Sequence, residues 1–461
     1  MVNKTTIFTL KQTKSGHVTC EANIDDKSIL LHSSYDPMKE AQRFIEKQLE
    51  RIKDKQRIII YGLGCGHHVA EFLRTTQGDH IKIEVWDFNV GFYEFIQQEK
   101  FIKDIVNDCR VTLHVSDKRE YILGIWRNFN PETDFLILHP ASLKIIPENL
   151  RDMQEIFEIF QLNIANMLLA KDKLEEHFSV NITHAKIDRH NLLNGLLANI
   201  PMILVAAGPS LQQNIALLRK YREQVFIGCV GTALAPLIKE GIYPDFFMLT
   251  DMDESLITHF AHIDRKIQEL IPLFYLSTVA PSVISLYPGP KIMLLQVGME
   301  EAEQIAKDLN TVAVKTGGSV ATTLLDWMVC LGAKQICFVG QDLAYTNHET
   351  HIAGAPMYAK IIDKDLQLLI EIDDYFLTGK VYTPWTLYIY KKWIESYIWQ
   401  HKDVTFFNAT QGGAHINNCH HITFEEFIKK ISFNGDIKKY RSKFLEIIRE
   451  IVADKACFGE G

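Results

Sequence analysis

Two glycine-rich turns, each set between an apolar strand pattern and a helical one, constrain this chain more than any other feature. The first is Ala207-Gly208-Pro209-Ser210-Leu211, reached from Met202-Ile203-Leu204-Val205-Ala206. The second is Thr316-Gly317-Gly318-Ser319, followed by a helix and by the strand Ile336-Cys337-Phe338-Val339, which ends in Gly340-Gln341-Asp342-Leu343-Ala344-Tyr345. Small residues at a helix start leave backbone N–H groups and the positive end of the helix dipole pointing at open space. That is how α/β proteins hold phosphates and nucleotides. Two such turns in one domain point to a nucleotide-bearing substrate.

The 461 residues are enough for two or three domains with real cores. A net charge of −8 supplies no basic field for a phosphate backbone, so no nucleic-acid partner is expected. The eight cysteines include no CxxC pair, and Cys229 and Cys337 sit in apolar strand patterns, where a reduced thiol acts as a small hydrophobe. Met1 to Thr6 lacks the apolar core of a signal peptide, and no stretch is apolar for long enough to span a bilayer. A cytoplasmic protein without a membrane span is the expectation.

Along the chain, residues 1–150 read as an α/β domain: short strands, a helix from Asp36 to Arg51, then strands at Ile58–Tyr61, Ile81–Trp86, Val111–Val115 and Phe135–His139. Residues 151–200 read as a helical connector, within a pattern running from Glu148 to about Asn194 that meets no Gly or Pro until Gly195. Residues 201–422 hold a second α/β domain with six strands between Met202 and Val339, and residues 423–461 supply C-terminal helices. Alternation of strands and helices at this spacing implies parallel sheets, so the fold class is α/β with two Rossmann-like units.

In the N-terminal domain, Gly62-Leu63-Gly64-Cys65-Gly66 follows a strand, and Asp87 closes the next one. This is the arrangement that binds S-adenosylmethionine or a dinucleotide ribose. Yet His67 and His68 follow at once, and the later strands carry no catalytic constellation. The reading is a Rossmann-like scaffold whose site is empty or degenerate.

The central motifs are more specific together than apart. AAGPSL (206–211), GTALAPLIKEGIYPDFFMLTDMD (231–253) and TGGSVATTLLDWMVCLGAKQICFVGQDLAY (316–345) resemble the motility-associated factor (Maf) flagellin glycosyltransferases. LHSSYDPMKEA (31–41) and NATQGGAHI (408–416) extend the resemblance over most of the chain. That family shares a domain with an archaeal hydroxymethylpterin diphosphokinase. The GPSL turn and the later glycine turn are also similar to bacterial sialyltransferases. The resemblance implies a CMP-activated nonulosonic acid (pseudaminic, legionaminic or Kdo-like) as donor and Ser/Thr hydroxyls of flagellin as acceptors.

Under this reading Gly208 lets the backbone approach the nucleotide, Pro209 fixes the helix start, and Ser210 caps the helix or bonds a phosphate oxygen. Gly317, Gly318 and Ser319 present N–H groups to the CMP phosphate or the sugar carboxylate. Thr232 is a further substrate contact, and Asp251 a ribose or acceptor contact. Gln341 and Tyr345 bond sugar hydroxyls or the carboxylate, and Gly412 and Gly413 form a wall for the base. Asp342 lies beyond a strand's C-terminal end, where open α/β sheets place chemistry, and is read as catalytic or as a structural cap of its loop. His351, in HETHIAG, is the expected general base. The sialyltransferases have a His before the last long helix of the nucleotide domain, but Lys380-Val381-Tyr382-Thr383-Pro384 has none, which leaves the base open.

No cofactor or metal is expected. Asp251-Met252-Asp253 spells a DxD, so a divalent cation at Asp251 and Asp253 stays an open alternative. His415, Cys419, His420 and His421 lack a completing set for zinc. Three functions are carried: the sugar transfer, a pterin diphosphokinase that would use ATP and Mg²⁺ through Asp251 and Asp253, and a non-catalytic flagellin-binding module.

Overall fold

Strands rich in Ile, Val and Phe that end in glycine or aspartate suit a sheet covered on both faces, because every residue of such a strand is buried. The computed structural model describes residues 6–24, 27–53, 55–76, 81–126, 133–150, 172–361, 369–431 and 435–453. It divides into two compact units, Met1–Asn166 and Met167–Gly461. The expected connector helix falls in part on 151–171, outside the described residues. Of the remainder, 172–184 is helical and His190–Leu193 is a single 3-10 turn.

The first unit begins with an antiparallel sheet of β1 (Ile7–Gln12), β2 (Val18–Ile24) and β3 (Lys27–Leu30), and then the helix Pro37–Leu49. Four parallel strands follow: β4 (Arg57–Tyr61), β5 (Lys82–Asp87), β6 (Val111–Val115) and β7 (Asp134–Leu138), in the order β6-β5-β4-β7. Ile58 pairs with Ile83 on one side and Phe135 on the other. The order reverses between β4 and β7, so their C-terminal ends flank this sheet's switch point. Ile58, Ile60, Ile83, Val85, Phe72 and Phe92 build the core.

The second unit carries eight parallel strands in the order β12-β11-β10-β9-β8-β13-β16-β17. These are β8 (Pro201–Val205), β9 (Phe226–Val230), β10 (Phe246–Leu249), β11 (Leu273–Leu276), β12 (Lys291–Leu294), β13 (Gln335–Val339), β16 (Thr405–Asn408) and β17 (His420–His421). The expected strands are all present within a few residues of their predicted ends. The hairpin β14 (Ile370–Asp373) and β15 (Lys380–Thr383) was not anticipated. The order reverses between β8 and β13, the two strands that lead into Gly208 and Asp342.

The C-terminal helix Ile437–Val452 belongs to this sheet. Its Phe444 meets the rings of Phe226, Phe246 and Phe274 at centroid distances of 5.2, 6.0 and 6.2 Å. Arg441 on the same helix and Arg222 both bond the buried Asp245 Oδ1, at 2.8 and 2.9 Å, while Asp245 Oδ2 accepts the Ile227 N–H at 2.6 Å. Removing that carboxylate leaves the Ile227 N–H without its acceptor and takes one acceptor from each guanidinium, which keep Tyr243 O, Val225 O and Glu223. Asp245→Ala is therefore expected to cost about 3–5 kcal/mol, read as a lowered urea midpoint. An unchanged midpoint would show that those remaining acceptors suffice.

Candidate active site

At the switch point of the second unit the turn Ala207–Leu211 is bound to the segment that ends β13. Gly208 N–H donates to Gly340 O at 2.8 Å, and Ala206 N–H to Val339 O at 2.9 Å. A Cβ on Gly208 would lie 2.0 Å from Asp342 Oδ1, so only glycine lets the carboxylate in. Asp342 is 3% exposed. It accepts from Ser210 Oγ–H at 2.5 Å, from Ser210 N–H at 3.3 Å and from the Thr346 hydroxyl. Burial pushes its pKa up to about 6 against the lowering effect of those bonds.

Three expectations change here. Ser210 stands at the N-cap position of the helix Leu211–Lys220 but makes no capping bond. Its φ of −66° and ψ of −16° are helical rather than extended, and its hydroxyl is given to Asp342 instead. Gly412 and Gly413 approach the chain's own atoms closely: Cβ atoms there would lie 2.9 Å from the Ser210 side chain at Cβ and 2.2 Å from the backbone Asp342 O. Ala414 N–H bonds the same Asp342 O at 2.7 Å. Asp342 itself spends its carboxylate on tying the two segments together. Beside it, Gln341 donates its N–H to Thr410 Oγ1 at 3.2 Å, and its buried Oε1 has no partner among the described residues.

The second glycine turn also looks inward in part. Ser319 and Thr322 form a reciprocal capping box at the start of the helix Val320–Cys330. The N–H groups of Gly317 and Ser319 both point at Thr322 Oγ1, at 3.1 and 3.2 Å, so neither is free for a phosphate. A Cβ on Gly317 would sit 2.4 Å from the Trp393 ring. Gly318 differs: it is exposed, has φ of +87°, and its nearest neighbour is the edge of Tyr390.

Beside the first turn runs the segment containing His351, fixed by Ile352 N–H donating to Ala207 O at 2.8 Å. His351 is half-buried, and burial holds its pKa below the usual imidazole value. It acts electrostatically on His259, whose pKa is brought down to about 4, by burial first and then by His351, against the pull of Asp251. His259 packs over the turn after β9, where a Cβ on Gly231 would meet its Nδ1 at 2.5 Å; Thr232 is the next residue, half-buried. Asp251 is exposed and also raises the pKa of the Tyr390 phenol, behind the larger effect of burial. Both imidazoles carry a buried Nδ1 with no partner among the described residues. A pair of neutral imidazoles beside a carboxylate is competent to take a proton from a hydroxyl.

His259 and Tyr390 were not foreseen. His259 ends the 3-10 turn Glu254–His259 without any local motif, and Tyr390 lies within an aromatic helix, Trp385–Gln400, that reads as packing. Of the DxD pair, Asp253 caps that 3-10 turn through Ser255 N–H at 2.7 Å, while Asp251 acts electrostatically on His259. Tyr345 is half-buried with its N–H on Tyr382 O, and burial raises its phenol pKa. His348 is exposed. His415 and His421 stack at 4.0 Å, and Ile416 N–H donates to His421 Nε2.

A base whose pKa lies below the ordinary histidine value stays deprotonated as pH falls through that value. If His351 is the base, the reaction rate should stay level from neutral pH down past the ordinary imidazole range and fall only below it. A rate profile whose acid limb is centred at or above the ordinary histidine value would reject the assignment.

Residues 176–348 match the family described as 6-hydroxymethylpterin diphosphokinase MptE-like, which places an MptE-like domain at the centre of the chain. No curated protein matches the chain significantly in sequence. Five chains of solved structures do match. One is the MAf glycosyltransferase from Magnetospirillum magneticum AMB-1, 15% identical, aligned over 96% of this chain and 74% of that one with a TM-score of 0.44. The MptE-like match agrees with the domain type that the motif resemblance implies.

Proposed function

We propose that this chain is a glycosyltransferase that moves a nonulosonic acid, of pseudaminic, legionaminic or Kdo-like type, from CMP to Ser or Thr hydroxyls of flagellin. Its setting would be the cytoplasm, and its product would support flagellum assembly and motility. The observation that carries the reading is the pair His351 and His259, each with a buried, unpartnered Nδ1, beside the switch point of an all-parallel sheet. The substrate class is taken from the motif resemblance alone.

In this reaction the acceptor hydroxyl gives its proton to His351 while its oxygen attacks the anomeric carbon. The bond from that carbon to the phosphate oxygen breaks, and CMP leaves with the electron pair. Burial holds the base neutral, with His259 as its electrostatic neighbour. Gly318 admits the nucleotide against Tyr390, and Gln341 and Tyr345 meet the sugar. Asp342 acts as a positioning residue that holds the turn Ala207–Leu211 in register. No divalent cation is required by this scheme, since the leaving group is a single phosphate monoester.

The test incubates the purified protein with flagellin and CMP-sugar, with and without EDTA, and reads CMP release and the mass of flagellin. Transfer that survives EDTA supports the proposal. Transfer abolished by EDTA, or tight flagellin binding without transfer, would sink it. His351→Gln should lower kcat about 10²- to 10⁴-fold while leaving CMP affinity close to that of the parent. Gly318→Val, whose Cβ would stand 2.9 Å from the Tyr390 ring, should weaken CMP binding. Unaltered CMP affinity in that variant would remove Gly318 from the donor site.

A further inference from the structure

The turn Gly62–Gly66 at the switch point of the first unit has no room for a cofactor. A Cβ on Gly64 would lie 2.7 Å from His32 Nε2, and one on Gly62 would lie 2.3 Å from Ser142 Cβ. Asp87, the residue placed to accept from a ribose, accepts instead from Leu63 N–H at 2.9 Å and Asn89 N–H at 3.0 Å. The space above the turn is filled by three imidazoles, His32, His68 and His139, which are 2%, 1% and 6% exposed.

These rings come from three separate elements: the loop after β3, the helix His67–Thr75, and the end of β7. One nitrogen from each lies within 4.8 Å of the other two. The ring centroids are 4.2 Å (His68–His139), 4.7 Å (His32–His139) and 5.4 Å (His32–His68) apart. The backbone of His32 is fixed by two bonds to Thr19 Oγ1, at 3.1 and 2.9 Å, and His139 N–H donates to Tyr61 O at 2.9 Å.

The second nitrogen of each ring is engaged on the outside of the cluster. His68 Nε2 lies 2.8 Å from Gly62 O, and a carbonyl only accepts, so Nε2 carries the proton and Nδ1 is bare. His32 Nδ1 lies 3.5 Å from Glu40 Oε2, which also accepts the Ser33 N–H at 2.8 Å. His139 Nδ1 lies 2.8 Å from Ser142 Oγ. His68 Nδ1 and His32 Nε2 are buried and have no partner among the described residues. Bare lone pairs gathered in a dry space repel one another unless a cation sits between them. Carbonyl, carboxylate and hydroxyl partners behind imidazoles are also the outer shell that fixes metal-binding histidines.

We propose that His32, His68 and His139 bind one divalent transition-metal ion of the zinc class, pinning the loop after β3 and the helix His67–Thr75 to the parallel sheet. Three neutral imidazoles without a thiolate or carboxylate suit zinc or cobalt(II), with a fourth position left for water. Burial keeps the rings in the neutral form that ligates. The ion draws the three nitrogens closer together, since zinc holds imidazole nitrogens at about 2.0–2.1 Å.

The test uses the full chain, stripped of metal and reloaded with zinc, then passed through a desalting column and assayed for bound metal. One equivalent retained, a raised melting temperature, and the visible bands of four-coordinate cobalt(II) after cobalt loading are the expected results. His68→Asn should retain none. Glu40→Gln changes a half-exposed carboxylate that the core does not need, and should weaken zinc about 10- to 100-fold against a chelating dye. That variant decides the matter if His68→Asn fails to fold. Retention well below one equivalent by the parent protein, or parental zinc affinity in Glu40→Gln, would overturn the proposal. So would loss of the bound equivalent in His415→Ala, since the metal would then sit at the stacked pair His415 and His421.

Discussion

The carboxylate of Asp342 is the contact on which the second unit's switch point rests. A buried acid without a cationic partner costs free energy, and the rise of its pKa to about 6 reflects that cost. It is offset by hydrogen bonds from Ser210 and Thr346, which lie on different turns. The fold thereby trades an unfavourable burial for a fixed distance between the C-terminal ends of β8 and β13. Gly208, Gly412 and Gly413 keep the space clear in which this bridge forms.

The first unit repeats the device with different residues. Asp87, also buried and also pushed up to about 6 by desolvation, holds the glycine turn from beneath through Leu63 and Asn89. In each unit the acid faces into the protein while histidines gather on the outer side of the turn. An aspartate at a strand end beside a glycine turn is therefore not by itself a ligand contact. Its carboxylate has two directions in which to find donors, and in both units the nearer donors are backbone and hydroxyl groups of the fold.

Much of the fold was legible because strand period, apolar runs and glycine punctuation are local properties. Pro201–Val205, Phe226–Val230 and Gln335–Val339 could be placed to within a residue or so, and the family resemblance gave the same domain type. The candidate site was legible only where it lies next to a motif. Asp251 and His351 belong to quoted motifs, whereas His259 and Tyr390 reach the same place from segments with no signal of their own. The triad His32, His68 and His139 was missed for the same reason. His68 was read as an objection to cofactor binding, and nothing in the spacing of the other two suggests that the strand order would bring them together.

Glycine is the residue on which sequence reasoning is most easily divided, because a missing Cβ makes room for a ligand and for the protein itself in the same way. Gly208 and Gly64 are accounted for by Asp342 and His32, groups of the chain that enter the space a side chain would take. Gly317 is accounted for by Trp393. Gly318 is not: it is exposed, its φ of +87° excludes most side chains, and its only close neighbour is the rim of a tyrosine that also feels Asp251. Internal packing thus explains Gly208 and Gly317 through the closer approaches, 2.0 Å to Asp342 and 2.4 Å to Trp393. The one glycine left facing outward stands beside Tyr390, on the side of the site where the histidines and Asp251 are gathered. The phosphate-binding expectation, which began with both turns in equal measure, therefore concentrates on Gly318, and the first turn becomes the frame that holds His351 through Ile352 and Ala207.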